Sequence, residues 1–444
     1  MPYIPNTDDD RRKMLDKIGV ASFDELLAPI PERLQLKNLL ELPEPLSELE
    51  LLDQLKALSR KNKSEMAVFA GGGVYDHFIP AAVETIIGRP EFATAYTPYQ
   101  AEVAQGTLQV IYEFQTGICR LTGMDIANAS MYDGGSAAAE AVNLSLLATK
   151  KNKVLVSETV NPNYRSVIRT YMSGRDVEFV TIPMTDGHSD LEKIKAAVDD
   201  NTACLVLAQP NFFGLLEEVE AAAAVVHEAG GLLVLAVDPI AAALIKPAAE
   251  YGADIAVGEG QPLGIPLNFG GPLLGFFAVT GKLVRQMPGR LAARTVDRDG
   301  KPGFVLTLQT REQHIRRDKA TSNICTNQAL CATAATVYLS LMGRSGLKQA
   351  ALLSLEKTHR LVERIGALDG FEPYYGGSFI REAAIKMPRP AREIIETLID
   401  RNNILAGIDL GRFYPDMSDG LLIAATEKRT GDQIDALVEA LRTL

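Results

Sequence analysis

The chain has 444 residues, of which 47% are apolar, and a formal net charge of -11. This size predicts one large domain with a sizeable hydrophobic core and a smaller domain beside it. Because binding to a nucleic-acid backbone needs clustered Lys and Arg, the acidic balance argues against a nucleic-acid partner. The longest apolar run, near GGLLVLAV, has the length of a strand, so the sequence predicts no membrane span.

The cysteines and histidines follow no spacing typical of a metal site or a disulfide framework. No CxxC, HxH or HExxH pattern occurs, and His77 is expected to be a structural histidine with protein partners. The first residues, MPYIPNTDDDRRK, have no apolar core of a signal peptide. We therefore expect no metal, reduced thiols and a cytoplasmic location. The cysteines are Cys119, Cys204, Cys325 and Cys331.

The succession of sequence patterns predicts three segments. Residues 1–65 contain short amphipathic helices and form an N-terminal helical arm, which we expect to pack on the body or on a partner. Residues 66–330 alternate strand and helix signals, which is typical of a large α/β domain with a mostly parallel sheet. Residues 331–444 begin with a long helix and predict a small α+β domain. The predicted strands are KVLVSETV, VEFVTIP, ACLVLAQPN, GLLVLAVDP and ADIAVGEG, then FIREAAIKM and LLIAATEK.

Two motifs fall where the strands of such a sheet end, which is where ligands bind in this architecture. The turn DGGS, from Asp133 to Ser136, leads into an Ala-rich helix whose first N–H groups could hold a phosphate. Asp238 follows a buried strand, and a carboxylate there would keep a pyridine nitrogen protonated. Each motif alone is more often a cap of a helix or a turn. Together they resemble the pyridoxal-phosphate (PLP) enzymes of fold type I.

That resemblance also implies a Schiff-base lysine beyond the next strand, and the chain has none there. The sequence reads GEGQP from Gly258, with Gln261 and no amine. Lys246 lies on the wrong side of this strand, and Lys319 comes after the Gly-rich stretch among other charged residues, which favours an ion-pair or phosphate role. A free-standing PLP enzyme that uses a displaced lysine such as Lys319 remains the alternative.

Further motifs narrow the resemblance to one family. They span most of the chain, occur in the family's order, and are similar to those of glycine decarboxylase, the P-protein of the glycine cleavage system. The motifs are AGGGVYDHFIP from Ala70, YTPYQAEVAQG from Tyr96, NASMYDGGSAAAEA from Asn128, GADIAVGEGQPLGIPLNFGGP from Gly252 and RRDKATSNICTNQAL from Arg316.

The family resemblance implies a division of labour between homologous chains. Its enzymes are one long chain with two homologous halves or two separate subunits, and the catalytic half carries a His-Lys pair where this chain has Gly260-Gln261. The resemblance therefore implies the alpha subunit, which holds no PLP covalently, in a heterotetramer of two alpha and two PLP-bearing beta subunits. It also implies the reaction: glycine is decarboxylated, and its aminomethyl group passes to the lipoyl arm of the H-protein.

The site residues follow from the same resemblance. In fold type I dimers each site lies at the subunit interface, so a degenerate subunit can still complete the pocket of its neighbour. Tyr96, Tyr99 and Gln100 are predicted to line the partner's site, because hydroxyl and amide groups orient a phosphate or a carboxylate. Interface packing without substrate contact, in a pure scaffold, is the alternative. The chain's own vestigial pocket is predicted to contain Ser136, Asp238 and Gln261.

Overall fold

A computed structural model describes residues 5–36, 38, 40–268, 270–324 and 326–444. Phe269 and Cys325, which belong to two of the motifs above, lie outside the described residues, as do residues 1–4 of the predicted arm. The chain divides into one compact unit that ends at Ser64 and a second that runs from Glu65 to Leu444. The boundary between residues 330 and 331 stays a prediction.

The first unit contains three short helices, as the amphipathic pattern predicts. They are α1 (Asp8–Ile18), α2 (Phe23–Leu27) and α3 (Glu48–Ser59). Helix α1 begins with a reciprocal cap in which the Thr7 hydroxyl accepts from the Asp10 amide and the Asp10 carboxylate accepts from the Thr7 amide. Ser47 caps α3 in the same way. The packing of this arm stays a prediction.

The second unit alternates strands and helices over most of its length. Its helices are α4 (Ala81–Ile87), α5 (Pro90–Ala93), α6 (Gln105–Thr122), α7 (Gly134–Thr149), α8 (Pro162–Met172), α9 (Leu191–Ala197), α10 (Val219–Glu228), α11 (Gln313–Arg316), α12 (Ala329–Gly366), α13 (Ala391–Asn402) and α14 (Gly431–Arg442). Its strands are β1 (Ala67–Val68), β2 (Ile126–Ala127), β3 (Lys153–Ser157), β4 (Glu178–Ile182), β5 (Met184–Thr185), β6 (His188–Ser189), β7 (Thr202–Gln209), β8 (Leu232–Val237), β9 (Ile255–Glu259), β10 (Gly275–Val279), β11 (Leu291–Val296), β12 (Pro302–Thr307), β13 (Glu372–Pro373), β14 (Glu382–Lys386), β15 (Ile404–Leu405), β16 (Ile408–Asp409) and β17 (Gly420–Ala424).

The main sheet has seven strands in the order β2-β10-β9-β8-β7-β3-β4. The pairs from β9 through β8, β7 and β3 to β4 are parallel, whereas β10 runs antiparallel to β9 and to β2. Every residue of β3, β7 and β9 is buried, which explains why these strands read as continuous apolar runs rather than alternating ones. The predicted α/β fold with a mostly parallel sheet is confirmed.

The C-terminal region builds a separate antiparallel sheet in the order β13-β14-β17-β16. Helices α13 and α14 and the second half of α12 pack on it around Ile385, Leu361 and Ile423. Helix α12 is longer than the sequence pattern predicts and is broken at Gly343, whose φ of 55° lies in the left-handed region. Among the described residues, no helix is long and apolar enough to cross a membrane.

The two sheets meet where the parallel strands end. Strands β7, β8 and β9 finish at the same edge, helix α7 begins there at Gly134, and β14 of the C-terminal sheet starts there at Glu382. Carboxyl ends of parallel strands are the usual location of ligand sites in open α/β sheets. A ligand site is therefore expected at this edge of the main sheet.

Candidate functional site

A pocket lies at this edge, between the ends of β7, β8 and β9 and the start of β14. Its walls include Tyr75, Tyr164, Asp238, Glu259 and Arg381. The space left inside amounts to about 80 Å³. A cavity of about 150 Å³ is what accommodates a single benzene molecule. The pocket therefore has little room for a substituted ring.

Asp238 lies in the pocket, and both of its carboxylate oxygens have partners within the chain. Oδ1 accepts from the amides of Ile240 at 2.8 Å and Ala241 at 3.0 Å, so the carboxylate is oriented by the turn that follows β8. Oδ2 forms an ion pair with Nη2 of Arg381, a side chain that is only 3% exposed. Burial disfavours the charge on Arg381, yet the neighbouring Asp238 carboxylate raises its pKa above the ordinary value. Both oxygens of Asp238 therefore already have partners, and a pyridine nitrogen would have to compete with Arg381 for Oδ2.

The Arg381 guanidinium also contacts an aromatic ring and a histidine. Its Cζ lies 3.4 Å from the centre of the Tyr75 ring, a cation–π contact. Its Nη1 contacts Nε2 of His77, whose Nδ1 lies 2.6 Å from Oε2 of Glu427. Burial lowers the pKa of His77, so the neutral ring donates to Glu427 through Nδ1 and accepts from Arg381 through Nε2. His77 is thus a structural histidine, as predicted.

Glu382, the neighbour of Arg381, closes the side of the pocket next to the Gly71–Gly73 loop. The Tyr75 hydroxyl donates to Oε2 at 2.6 Å, and the Gly72 amide donates to Oε1. Burial raises the pKa of Glu382 to about 7. A Cβ on Gly71 would lie 2.2 Å from Oε1 of Glu382, so the loop approaches the carboxylate more closely than any other residue type allows.

At the opposite end of the pocket, the first amide of α7 is occupied by Glu259. Oε2 of Glu259 accepts from the Gly134 amide at 3.0 Å, and Oε1 accepts from the amides of Gln261 and Leu274 at 2.9 and 2.8 Å. Burial raises the pKa of Glu259 to about 7. The Tyr164 ring covers the same place, since a Cβ on Gly134 would lie 1.9 Å from its Oη. A phosphate would have to displace both groups.

Ser136 lies in the cap of α7 and does not line the pocket. Its Oγ accepts from the Asp133 amide at 3.1 Å and donates to the Asp133 carbonyl at 3.0 Å, and its own amide donates to Oδ1 of Asp133 at 2.7 Å. This reciprocal arrangement is a capping box, which satisfies N–H groups that would otherwise be free. The structure thus gives the Asp133–Ser136 turn the cap role that the sequence left open.

Gln261 is buried beside the pocket rather than directed into it. Its Oε1 accepts from the Tyr75 amide at 2.9 Å, and its Nε2 donates to the Tyr75 and Ile265 carbonyls at 3.0 and 2.7 Å. Among the described pocket-lining residues there is no lysine. Lys246 pairs with Glu220 on the surface, and Lys319 is an exposed residue outside the pocket.

The residues of the pocket do not fit PLP. Asp238 already holds the Arg381 guanidinium, and the α7 amide already holds Glu259. The remaining volume of about 80 Å³ is smaller than a single-ring cavity. A bound PLP would therefore require rearrangement at both of its charged ends.

Tyr96, Tyr99 and Gln100 lie elsewhere, on the surface before α6. Tyr96 is 75% and Tyr99 is 61% exposed, and none of the three lines the chain's own pocket. The buried Arg290 contacts Tyr99: its Nη2 is 3.5 Å from the Tyr99 hydroxyl, and its Cζ is 5.4 Å from the centre of the Tyr99 ring. Arg290 also pairs with Glu312 at 3.4 Å. Tyr99 is therefore in contact with Arg290 on one side, while most of its side chain is exposed.

Sequence reasoning missed the residues that close the pocket, above all Arg381 and Glu259. The pattern of FIREAAIKM predicts only a strand, although it places Arg381 and Glu382 directly before the apolar residues Ala383 to Ile385. Charged residues are rarely buried unless paired, so adjacent charges at the start of a buried strand were a signal. The partner of Arg381, however, could not be identified without the fold.

The comparisons with known proteins agree on one family. The family model described as glycine cleavage system P-protein matches residues 1–441. The chain belongs to this family. A relative from Carboxydothermus hydrogenoformans, named probable glycine dehydrogenase (decarboxylating) subunit 1, is 54% identical over 443 residues, which is 99% of each chain.

Solved structures give the same result for family and fold. A crystal structure of glycine decarboxylase (P-protein) of the glycine cleavage system, in inhibitor-bound form, is 41% identical, covers 100% of both chains and has a TM-score of 0.91. An alanine–glyoxylate aminotransferase from Nostoc sp. has a TM-score of 0.59 at 16% identity, covering 93% of this chain and 98% of its own. The latter likeness concerns the fold type I architecture alone.

Proposed function

We propose that this chain is the subunit of a two-subunit glycine dehydrogenase (decarboxylating) that carries no PLP and completes the PLP site of a homologous subunit. The observation that carries the proposal is the Asp238–Arg381 ion pair, in which a cation of the chain itself occupies the carboxylate predicted to face a pyridine nitrogen. The proposed assembly is a heterotetramer of two alpha and two beta subunits, in which this chain is alpha.

The names of the relatives support an enzyme that is built from more than one kind of subunit. Relatives that are 54% and 49% identical over essentially the full chain are both named subunit 1 of glycine dehydrogenase, and a subunit 1 implies a further subunit. In the proposed complex, PLP on the partner supplies the electron sink for loss of CO2 from glycine. The aminomethyl group then passes to the lipoyl arm of the H-protein.

The proposed contribution of this chain is the wall of the partner's site. Tyr96, Tyr99 and Gln100 present hydroxyl and amide groups at the surface, where they can orient a carboxylate or a phosphate on a neighbouring chain. The contacts of Arg290 with Tyr99 would hold that ring in place. We further propose that the enzyme works in the cytoplasm, where the free thiols of Cys119, Cys204 and Cys331 stay reduced.

The test is co-expression with a homologue that carries the His-Lys pair. We expect equal amounts of the two chains in a stable complex, held by an interface of more than roughly 2,000 Å². We expect glycine-dependent CO2 exchange only when both chains are present. Sedimentation that shows two chains unassociated at micromolar concentration would contradict the assignment.

The location of PLP is tested on the same complex. After borohydride reduction, peptide mapping should place the phosphopyridoxyl group on a lysine of the partner. A stoichiometric phosphopyridoxyl-lysine on this chain, at Lys319 or elsewhere, would instead support the free-standing PLP enzyme.

A further inference from the structure

We propose that Arg381 is a permanent substitute for the cation that Asp238 is positioned to bind, and that removing its side chain creates a binding site for a planar organic cation. The proposed function concerns what this chain does for its partner. The role of Arg381 concerns how the chain's own pocket is kept closed and which class of ligand the pocket recognises. This role is tested on the full chain alone, without any assay of activity, so its test can fail or succeed independently of the proposed function.

The position of the Asp238 carboxylate does not depend on Arg381. Oδ1 is held by the amides of Ile240 and Ala241, so Oδ2 faces the pocket because of the turn itself. A carboxylate fixed in this way offers a negative charge at a set position. Only a cation that enters the pocket in the right plane can use it.

The second recognition element is the Tyr75 ring, whose face fixes the plane in which a bound cation must lie. The guanidinium of Arg381 lies against this ring with its Cζ 3.4 Å from the ring centre, while its Nη2 reaches Asp238. Tyr75 is itself fixed, because its hydroxyl donates to Glu382 and its amide donates to Gln261. A flat, delocalised cation can stack on an aromatic face and at the same time pair with a carboxylate at its edge. This is therefore the chemical class of ligand that fits the pocket.

Removal of the Arg381 side chain would leave this arrangement without its positive charge. The side chains of Asp238 and Arg381 are only 15% and 3% exposed, so water cannot fully replace the lost partner. Nε2 of His77 would lose its donor in the same step. The variant pocket would therefore contain a carboxylate, an aromatic face and a hydrogen-bond acceptor around the vacated space.

The opposite end of the pocket sets a limit on the ligand. Glu259 would still occupy the Gly134 amide, so a phosphate group would meet a carboxylate where it needs N–H donors. The predicted ligand is therefore a small planar cation such as guanidinium or 1-methylpyridinium. Pyridoxal phosphate, which carries an anionic group at that end, should not bind.

The experiment measures thermal unfolding of Arg381→Ala with and without added cations. The substitution should lower Tm by roughly 5–10 °C, because one partner of a buried pair is lost. Guanidinium or 1-methylpyridinium at millimolar concentration should restore part of the loss, whereas equal NaCl or the non-planar tetramethylammonium should not. The wild-type chain should show no response. Equal Tm values for variant and wild type, an absence of cation rescue, or equal rescue by pyridoxal phosphate would overturn the proposal.

A matched control separates this pocket from any other vacated arginine site. Arg429 is 5% exposed and pairs with Asp76 at 2.7 Å, but it does not line the pocket. Arg429→Ala should also lower Tm, yet 1-methylpyridinium should not rescue it. Rescue of both variants to the same extent would show that the effect is not specific to the Asp238 pocket.

A second variant keeps the test decisive if Arg381→Ala gives no folded chain. Asp238→Asn/Arg381→Met removes both charges and retains most of the side-chain volume. Recovery of folded protein in the double variant would support the role of Arg381 as the counter-ion of Asp238. Failure of the double variant to recover would overturn it.

Discussion

The strand-end pocket and the Tyr96–Gln100 segment differ in where their polar groups find partners. In the pocket, Asp238 and Glu259 are bound by Arg381 and by backbone amides of the same chain. On the surface segment, Tyr96 is 75% exposed, and the Tyr99 hydroxyl makes a 3.5 Å contact with Arg290 among the described residues. Polar groups that form hydrogen bonds or ion pairs within a chain stabilise that chain, whereas exposed polar groups are available to bind another molecule. The contrast separates a structural site from a candidate functional one.

The largest expected effect concerns an attempt to make the pocket functional. Gln261→Lys would place an amine beside the pocket, but Arg381 would still hold the Asp238 carboxylate and Glu259 the Gly134 amide. We expect the variant alone to catalyse glycine-dependent CO2 exchange more than about 100-fold slower than the complex, since a 1 Å error in position has this cost. Robust activity of the isolated variant would show that the pocket is not degenerate.

The second prediction concerns the surface segment. Tyr99→Phe removes one hydroxyl and keeps the ring, so assembly should be unchanged. If the hydroxyl binds a charged group in the partner's site, loss of about 1.5–3 kcal/mol would slow exchange roughly tenfold to hundredfold. Tyr96→Phe and Gln100→Ala should act in the same direction.

A matched control for this series is Tyr171→Phe, because Tyr171 packs against the core on α8, away from the segment. This control should retain full exchange activity in the complex. If all three segment variants also retain it while the complex stays assembled, the segment is interface packing and the scaffold alternative gains support.

The third prediction uses the pH dependence of stability. Burial raises the pKa of Glu259 and Glu382 to about 7, so the folded chain binds more protons than the unfolded chain between the ordinary glutamate pKa and 7. The free energy of unfolding should therefore fall as pH rises through this window, by up to about 1.4 kcal/mol per pH unit for each group. Urea unfolding between pH 5 and 8 measures it.

A substitution of Glu382 shows how much of the pH dependence of the unfolding free energy comes from this one side chain. Glu382→Gln cannot titrate and should make the pH dependence shallower, whereas Glu228→Gln, at an exposed position of α10, should leave it unchanged. Identical slopes in wild type and Glu382→Gln would refute the contribution of this carboxyl group.

The smallest expected effect is that of Ser136→Ala. Because Ser136 belongs to the capping box of α7, the substitution should cost about 1 kcal/mol of stability and leave exchange by the complex unchanged. Chemical denaturation and the exchange assay measure the two quantities. A tenfold loss of exchange at unchanged stability would instead indicate that Ser136 contacts a ligand.

The fold was largely predictable because its signals are local. The parallel strands read as apolar runs since both faces are covered, and Asp238 follows β8 as the pattern predicts. The antiparallel β10 and the β11–β12 hairpin were not predicted, because pairing direction depends on partners far along the chain. The prediction of Ser136 and Gln261 as pocket residues identified the right neighbourhood but not where each side chain points.

The closure of the pocket was unpredictable for the same reason. Arg381 lies on β14 and Asp238 after β8, and only the packing of the C-terminal sheet against the main sheet brings them together. Sequence patterns report the environment of a residue, such as burial, far better than the identity of its distant partner.

The Asp238–Arg381 pair also determines how many mutations separate this chain from a cofactor-binding one. A lysine gained by a single substitution would meet an occupied carboxylate, and loss of Arg381 alone would leave a buried, unpaired charge. Each single step is therefore unproductive or destabilising, and even the combined change would leave Glu259 on the Gly134 amide. A pocket that supplies its own counter-ion therefore cannot be converted into a cofactor site by one substitution.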